Sequence, residues 1–266
     1  MDAPQRQQWI NALLPAMDSA EAEACYRIYS LWLKDKNTEP ADIQMQEIIS
    51  RLLAHEPIQY ILNEAWFYGM AFRVNGSTLI PRPETEELCE LIIKNTADIN
   101  LNLLDVGTGS GCIPIALLKY KTGWKATALD INNEALRIAE INAHIHGVED
   151  RIIFTEGDFL DNYSTSETWD LIVSNPPYID AMKYAGMQKN VLDWEPQTAL
   201  FPPGNDPLIF YKKLAGLFYK QPFKCSLWAE INPVYAKETL QIFNAFSNKE
   251  LIKDMSGKWR FLHAVK

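Results

Sequence analysis

One stretch decides the fold, and it reads Leu103-Leu104-Asp105-Val106-Gly107-Thr108-Gly109-Ser110-Gly111. An apolar strand runs directly into a glycine-rich turn, and a helix is predicted to follow. The glycines permit a tight turn and let the backbone approach a ligand closely. Asp105 at the strand end disfavours a phosphate and suits a ligand that carries an ammonium or sulfonium charge. A glycine-rich turn without a ligand is the alternative, but the strand before it and the helix after it favour a binding site.

Strands and helices alternate on both sides of this stretch in the chain from residue 101 onward. The predicted strands are 101–105, 125–130, 151–156, 169–174, 224–231, 249–254 and 258–265, and the predicted helices are 111–121, 133–146, 205–220 and 234–246. Such alternation predicts an open, mainly parallel seven-stranded sheet with helices on both faces. The last two strands form a hairpin through Ser256-Gly257, which adds an antiparallel edge strand.

Three domains are predicted from the change of period along the chain. Residues 1–62 are expected to form a small helical domain, because apolar residues such as Trp9 and Leu13 recur at helical spacing. Residues 63–80 are expected to form a linker β-hairpin that turns near Gly69 and belongs to neither core. Residues 81–266 form the sheet domain, which opens with a proline-rich lead into a helix. Arg82 in that lead is expected to be a surface charge.

A second candidate site follows the predicted strand 169–174 and reads Asn175-Pro176-Pro177-Tyr178. Neither proline can donate to a strand ladder, and each holds the residue before it in an extended backbone. The result is a stiff loop whose carbonyls have no local N–H partner. Such a loop suits a flat group that donates hydrogen bonds, for example an amide or the amino group of a base. The alternative is a simple strand-ending turn.

Acidic residues are expected at two further strand ends. Asp130 lies about 20 residues after the glycines, where a carboxylate can accept from both hydroxyls of a ribose. Asp158 could accept from an adenine amino group, with Phe159 against the ring. Considered one at a time, Asp130 could be a helix cap, Asp158 a turn residue and Phe159 a core residue. Their position at consecutive strand ends favours one shared ligand, since open α/β sheets bind ligands at that edge.

The composition excludes several other classes of function. The formal charge of −9 disfavours binding to long phosphate backbones, so no direct nucleic-acid partner is expected. Four scattered cysteines and four histidines show no metal-ligand spacing, so neither a metal nor a disulfide is predicted. No signal peptide or membrane-spanning stretch is visible. A cytoplasmic protein is therefore expected, without a membrane partner and as a monomer.

Together these residues resemble the class I S-adenosylmethionine-dependent methyltransferases, which have a Rossmann-like fold and modify planar nitrogens. The chain further resembles the HemK/PrmC family of release factor glutamine methyltransferases in four segments, 51–60, 79–86, 175–179 and 195–200. It departs from that family at Gln221-Pro222-Phe223-Lys224, where a Pro-Gly-Gly turn is usual.

The resemblance implies a function and a role for each candidate residue. The activity would be N5-methylation of the glutamine in the Gly-Gly-Gln motif of class I peptide-chain release factors, with S-adenosylhomocysteine as the other product. Asp130 would hold the ribose of the cofactor, and Asp158 with Phe159 its adenine. Asn175 would contact both the glutamine and the methyl donor. The methionine part would be held by the glycine loop behind Asp105, namely Gly107, Thr108, Gly109, Ser110 and Gly111, and the glutamine by Asn175, Pro176, Pro177 and Tyr178.

A mechanism follows for the proline loop. The Asn175 side-chain oxygen and the Pro176 carbonyl could each accept one hydrogen of the substrate amide and aim its nitrogen at the methyl group. Tyr178 would cover the amide plane, and the loop contains no general base. The sequence leaves three alternatives open: a ribosomal-protein glutamine methyltransferase, a nucleic-acid amino-methyltransferase and a non-catalytic adaptor. The helical domain, 1–62, is the expected docking surface for the protein substrate.

Overall fold

A computed structural model describes residues 3–38, 42–97, 100–161, 167–180, 188–204, 206–221 and 224–266. The chain divides into two compact units. One comprises Met1–Glu64 with Met187–Trp194, and the other comprises Ala65–Gly186 with Glu195–Lys266.

The first unit is helical, as predicted. Its helices are α1 (Ala3–Leu13), α2 (Ser19–Asp35), α3 (Asp42–Leu53), α4 (Ile58–Leu62) and α8 (Lys189–Trp194). The predicted face of α1 is confirmed, because Trp9 and Leu13 are fully buried against Tyr29 of α2. Asp18 caps α2 by accepting a hydrogen bond from the Glu21 N–H. Sequence patterns did not predict α8, which is only six residues long.

The second unit contains the predicted seven-stranded sheet. Its strands are β3 (Asn102–Val106), β4 (Lys125–Asp130), β5 (Ile152–Glu156), β6 (Leu171–Ser174), β7 (Ser226–Glu230), β8 (Asn248–Lys253) and β9 (Trp259–Val265). They lie in the order β5-β4-β3-β6-β7-β9-β8, and the first five are parallel. The order reverses between β3 and β6, so a crevice opens there at the carboxyl ends of the strands.

Helices cover both faces of this sheet and bury two separate cores. Along β6, Leu171 and Val173 face one core while Ile172 faces the other, as expected for a strand buried on both sides. The helices are α5 (Pro83–Asn95), α6 (Cys112–Tyr120), α7 (Asn133–Ile145), α9 (Gln197–Leu200), α10 (Ile209–Lys220) and α11 (Ala236–Ile242). The predicted strands and long helices of this unit are confirmed, while the four-residue α9 was not predicted.

The last two strands form the predicted hairpin, but their order in the sheet differs from their order in the chain. The antiparallel strand is β9, and it inserts between β7 and β8. In chain order, β8 therefore forms the outer edge of the sheet, and β9 then returns to lie between β7 and β8. No helix among the described residues has the length and apolar character needed to cross a membrane.

The hairpin predicted for 63–80 exists, but its expected exclusion from either core is wrong. Its strands are β1 (Glu64–Phe67) and β2 (Met70–Arg73), and Phe67 and Phe72 are buried in the core that covers one face of the sheet. Asn142 of α7 bonds both the N–H and the carbonyl of Arg73, at 2.7 and 3.0 Å. An isolated two-stranded hairpin is marginally stable in water, so its apolar face packs on the sheet unit.

Candidate functional site

The predicted site segments meet at the crevice where the strand order reverses. The N–H groups of Gly107 and Thr108 donate to the Leu129 carbonyl at 2.8 and 3.0 Å, which holds the glycine loop beside the end of β4. The Ser174 hydroxyl donates to the Val106 carbonyl at 2.7 Å and joins the end of β6 to the same loop. The glycine loop and the proline loop therefore flank one crevice.

The glycine loop depends on three left-handed residues. Gly107, Gly109 and Gly111 have φ values of 76°, 55° and 77°. A Cβ at Gly107 or Gly109 would meet no atom within 4 Å, so open space lies beside this backbone. A Cβ at Gly111 would lie 3.0 Å from both the Ala139 Cβ and the Ile115 Cδ1. Gly111 therefore lets α6 begin against α7, while the first two glycines leave room for a ligand.

We expect Gly111→Ala to lower the free energy of unfolding by about 2–5 kcal/mol, combining left-handed strain of about 1–2 kcal/mol with overpacking of about 1–3 kcal/mol. Gly257→Ala is the matched control, because its φ is 83° and a Cβ there meets no atom within 4 Å. It should cost about 1–2 kcal/mol. Urea denaturation of both variants measures the difference, and equal losses would show that close helix packing adds nothing at Gly111.

Four buried oxygen atoms near the glycine loop make no hydrogen bond of ordinary geometry with any described residue. They are both carboxyl oxygens of Asp105 and the hydroxyl oxygens of Thr108 and Ser110. Asp105 is fully buried, and this burial raises the pKa of its carboxyl group to about 7. Unpaired buried polar groups are costly in a folded protein, so this cluster suits a cationic, hydrogen-bonding ligand.

The structure orients Asp130 with two backbone groups. Its carboxylate accepts from the Gly109 N–H at 2.8 Å and from the Asn132 N–H at 2.9 Å. The cap of α7 is Asn132, whose side chain accepts from the Glu134 N–H at 3.0 Å. Asp130 is therefore not that side-chain cap, and it ties the glycine loop to the end of β4.

Asp158 and Phe159 lie at the next strand end, and each also has a structural role. Asp158 is exposed, and its carboxylate accepts from the Leu160 N–H at 2.8 Å in a local turn. Phe159 is buried and stacks on Phe210, with ring centroids 6.4 Å apart. The Gly157 N–H donates to the Asp130 carbonyl at 2.9 Å, so this turn adjoins the end of β4.

The proline loop carries a hydrogen-bond network that sequence patterns did not predict. Asn175 Nδ2 donates to the Thr85 hydroxyl at 3.0 Å, and that hydroxyl donates to Glu230 Oε2 at 2.8 Å. The Tyr178 hydroxyl donates to Glu230 Oε1 at 2.7 Å. Glu230 is almost fully buried at the end of β7, and burial raises its pKa. Between Asn175 and Tyr178 in the sequence, Pro176 is buried and Pro177 is half-buried.

An ion pair between Arg82 and the buried Glu195 holds the segment that leads into α5. The Arg82 guanidinium contacts Glu195 Oε1 at 2.6 Å, and Glu195 Oε2 accepts from the Ile80 N–H at 3.2 Å. The Ile179 N–H donates to the Leu200 carbonyl at 3.0 Å. The expectation that Arg82 is only a surface charge is therefore wrong. Glu195 has 1% of its side chain exposed and needs a charged partner.

Fold and site together define a methyltransferase. A family model described as methyltransferase small domain matches residues 85–211. A ribosomal protein L11 methylase from Lactobacillus delbrueckii has the same fold, with a TM-score of 0.52 and 22% identity over 73% of this chain and 84% of that one.

Two curated relatives show to which methyltransferase family the chain belongs. A release factor glutamine methyltransferase of Flavobacterium psychrophilum is 38% identical over 97% of this chain and 96% of its own length. One of Bacteroides thetaiotaomicron is 43% identical over 83% of this chain and 80% of its own length. The chain belongs to the release factor glutamine methyltransferase family.

Proposed function

We propose that this enzyme transfers a methyl group from S-adenosylmethionine to N5 of the glutamine in the Gly-Gly-Gln motif of class I peptide-chain release factors. The observation that carries the proposal is the Asn175 side chain, held by Thr85 beside a glycine loop with unpaired buried oxygens. Family membership supports a protein glutamine as substrate and disfavours the ribosomal-protein and nucleic-acid alternatives.

The residues present fit this cofactor. When bound, S-adenosylmethionine supplies a methyl group activated by a sulfonium charge. Asp105, Thr108 and Ser110 offer unpaired buried oxygens to its ammonium group, and the open space at Gly107 and Gly109 admits its methionine part. We assign the ribose to Asp130, whose carboxylate is already oriented by two N–H groups, and the adenine to the turn of Asp158 and Phe159.

The enzyme contributes to the reaction by holding the side-chain amide of the substrate glutamine in place. An amide nitrogen is a weak nucleophile, so catalysis must come from orientation and from stabilisation of positive charge on that nitrogen. Asn175 Oδ1 has no partner among the described residues and can accept one amide hydrogen, while the Pro176 carbonyl accepts the other. Tyr178, held by Glu230, covers the amide and excludes water.

We expect cofactor affinity to depend on pH through Asp105. Its pKa of about 7 lies above the ordinary value, so without ligand its contribution to stability is present at low pH and is lost as pH rises through 7. A cationic ligand favours the ionised form, so binding below pH 7 must release a proton. Affinity should fall by up to about tenfold per pH unit from 7 to 5.5.

Calorimetry in buffers of different ionisation enthalpy measures this proton release directly. Asp105→Asn should weaken binding and remove the dependence on pH. Asp150→Asn should leave that dependence intact, because Asp150 is exposed in a short 3-10 helix after α7. If the cofactor affinity of Asp105→Asn varies with pH as steeply as that of the wild type, a group other than Asp105 releases the proton.

The decisive experiment is incubation of the protein with methyl-labelled S-adenosylmethionine and purified release factor, followed by peptide mass spectrometry. The proposal expects one methyl group on the glutamine side chain of the Gly-Gly-Gln motif. Transfer that is insensitive to salt would further separate a protein substrate from nucleic acid. No label on the release factor, or label on another residue, would overturn the proposal.

We also propose that the helical unit docks the protein substrate. Its described residues carry none of the groups assigned above to chemistry, and a groove of about 570 Å³ runs between residues 15–28, 52–59 and 188–190. Hydrogen exchange of the protein with both units present should slow in the helical unit when release factor is added. The expectation of a cytoplasmic monomer stays a prediction.

A further inference from the structure

The geometry points to Thr85 and Glu230 as positioning residues that decide which atom of the Asn175 amide faces the substrate. This inference rests on the proposed function and deepens it, because it concerns how the acceptor is presented. Neither residue touches the reacting atoms in the proposed mechanism. Both act through Asn175 and Tyr178.

Glu230 fixes the direction in which the Thr85 hydroxyl donates. Its two carboxylate oxygens accept from two different hydroxyls, Thr85 at 2.8 Å and Tyr178 at 2.7 Å. The Thr85 hydroxyl has a single hydrogen, and that hydrogen is directed at Glu230. Towards Asn175 the same hydroxyl can therefore act only as an acceptor.

The consequence for Asn175 is a fixed amide orientation. Its NH2 group must face Thr85, as the 3.0 Å contact shows, and its oxygen must face away. An asparagine with its amide reversed would present NH2 to the substrate, and two NH2 groups cannot bond to each other. The hydroxyl–carboxylate pair thus selects the acceptor that a glutamine amide requires.

The backbone makes this arrangement rigid. Thr85 lies in the first turn of α5, where Pro83 and the Arg82–Glu195 ion pair fix the start of the helix. Glu230 ends the buried strand β7, and its own carbonyl accepts from the Tyr211 hydroxyl at 3.0 Å. Both Thr85 and Glu230 are buried, so water cannot replace the contacts readily. A matched pair of this kind has little freedom to adapt when one member is lost.

The test compares Thr85→Val, which is isosteric but lacks the hydroxyl, with Thr85→Ser, which keeps it. We expect Thr85→Val to lower kcat about 10–100-fold, with KM for release factor and the Kd of S-adenosylmethionine changed less than about threefold. Thr85→Ser should stay within about threefold of wild type. Thr239→Val is the matched control, since Thr239 is a buried threonine in α11 that donates to the Tyr235 carbonyl. It should retain wild-type kcat.

A double variant separates positioning from general damage. In an Asn175→Ala background, Thr85→Val should change kcat by less than about twofold, because the group it positions is gone. If Thr85→Val does not fold, Thr85→Ala, which also lacks the hydroxyl, takes its place with the same expectations. Wild-type protein without transfer would sink the proposed function itself. Active wild type with a Thr85→Val variant of normal kcat, or with additive losses in the double variant, would overturn only the positioning role.

Discussion

Asn175→Ala is expected to fold and to bind S-adenosylmethionine within a few-fold of wild type, yet to lose about 100–1000-fold in kcat. The truncation removes the oxygen that we assign to the substrate amide, and loss of one preorganised hydrogen-bonding group typically costs about 2.7–4 kcal/mol of transition-state stabilisation. It also leaves the Thr85 hydroxyl without its donor. Single-turnover methyl transfer to release factor, with cofactor affinity by calorimetry, measures both quantities.

Asn248→Ala provides the control for that variant. Asn248 is exposed at the start of the edge strand β8, far along the sheet order from β3 and β6, so its removal should leave transfer unchanged. Near-normal turnover by Asn175→Ala would contradict the role assigned to the proline loop. A parallel collapse of cofactor binding would instead indicate that Asn175 serves the cofactor more than the glutamine.

Phe67→Ala is expected to lower the free energy of unfolding of the sheet unit by about 3–5 kcal/mol, the usual cost of deleting a buried phenylalanine side chain. Phe67 is 1% exposed and contacts the Phe72 ring edge to face, with centroids 5.9 Å apart. The loss should be visible as a lower midpoint in urea denaturation followed by circular dichroism. A hairpin that served only as a linker would tolerate this change.

The neighbouring Trp66→Ala is a control from the same strand. Because strand side chains alternate between faces, Trp66 points away from the core and is 51% exposed. Its truncation should cost less than about 1 kcal/mol. Equal losses of unfolding free energy in the two variants would show that the buried face of the hairpin stabilises the protein no more than the exposed face.

The residue alternation of the hairpin determines its two strands but not the surface on which it packs. Its aromatic alternation predicted two short strands and a turn near Gly69, and the structure confirms them. Alternation cannot say which surface covers the apolar face, since many surfaces would serve. Asn142, 69 residues further along the chain, holds the hairpin against α7 through hydrogen bonds to the backbone of Arg73.

Local rules were sufficient for much of this protein. The run of strands and helices, the glycine turn after β3 and the stiff proline loop after β6 all follow from backbone preferences acting over a few residues. For the same reason, the edge of the sheet where a ligand would bind could be predicted: consecutive parallel strands present their carboxyl ends on one side. Family resemblance then narrowed the chemistry to a glutamine amide.

Contacts between distant residues were decided only by tertiary packing. Thr85 and Glu230 are 145 positions apart, and Arg82 and Glu195 are 113 apart, so no local period relates them. The position of β9 between β7 and β8 likewise pairs residues that are distant in the chain, such as Ser226 and Val265. Hydrogen bonds and ion pairs between buried side chains require a particular register of whole elements. That register follows from the packing of two cores on one sheet, which short sequence patterns do not encode.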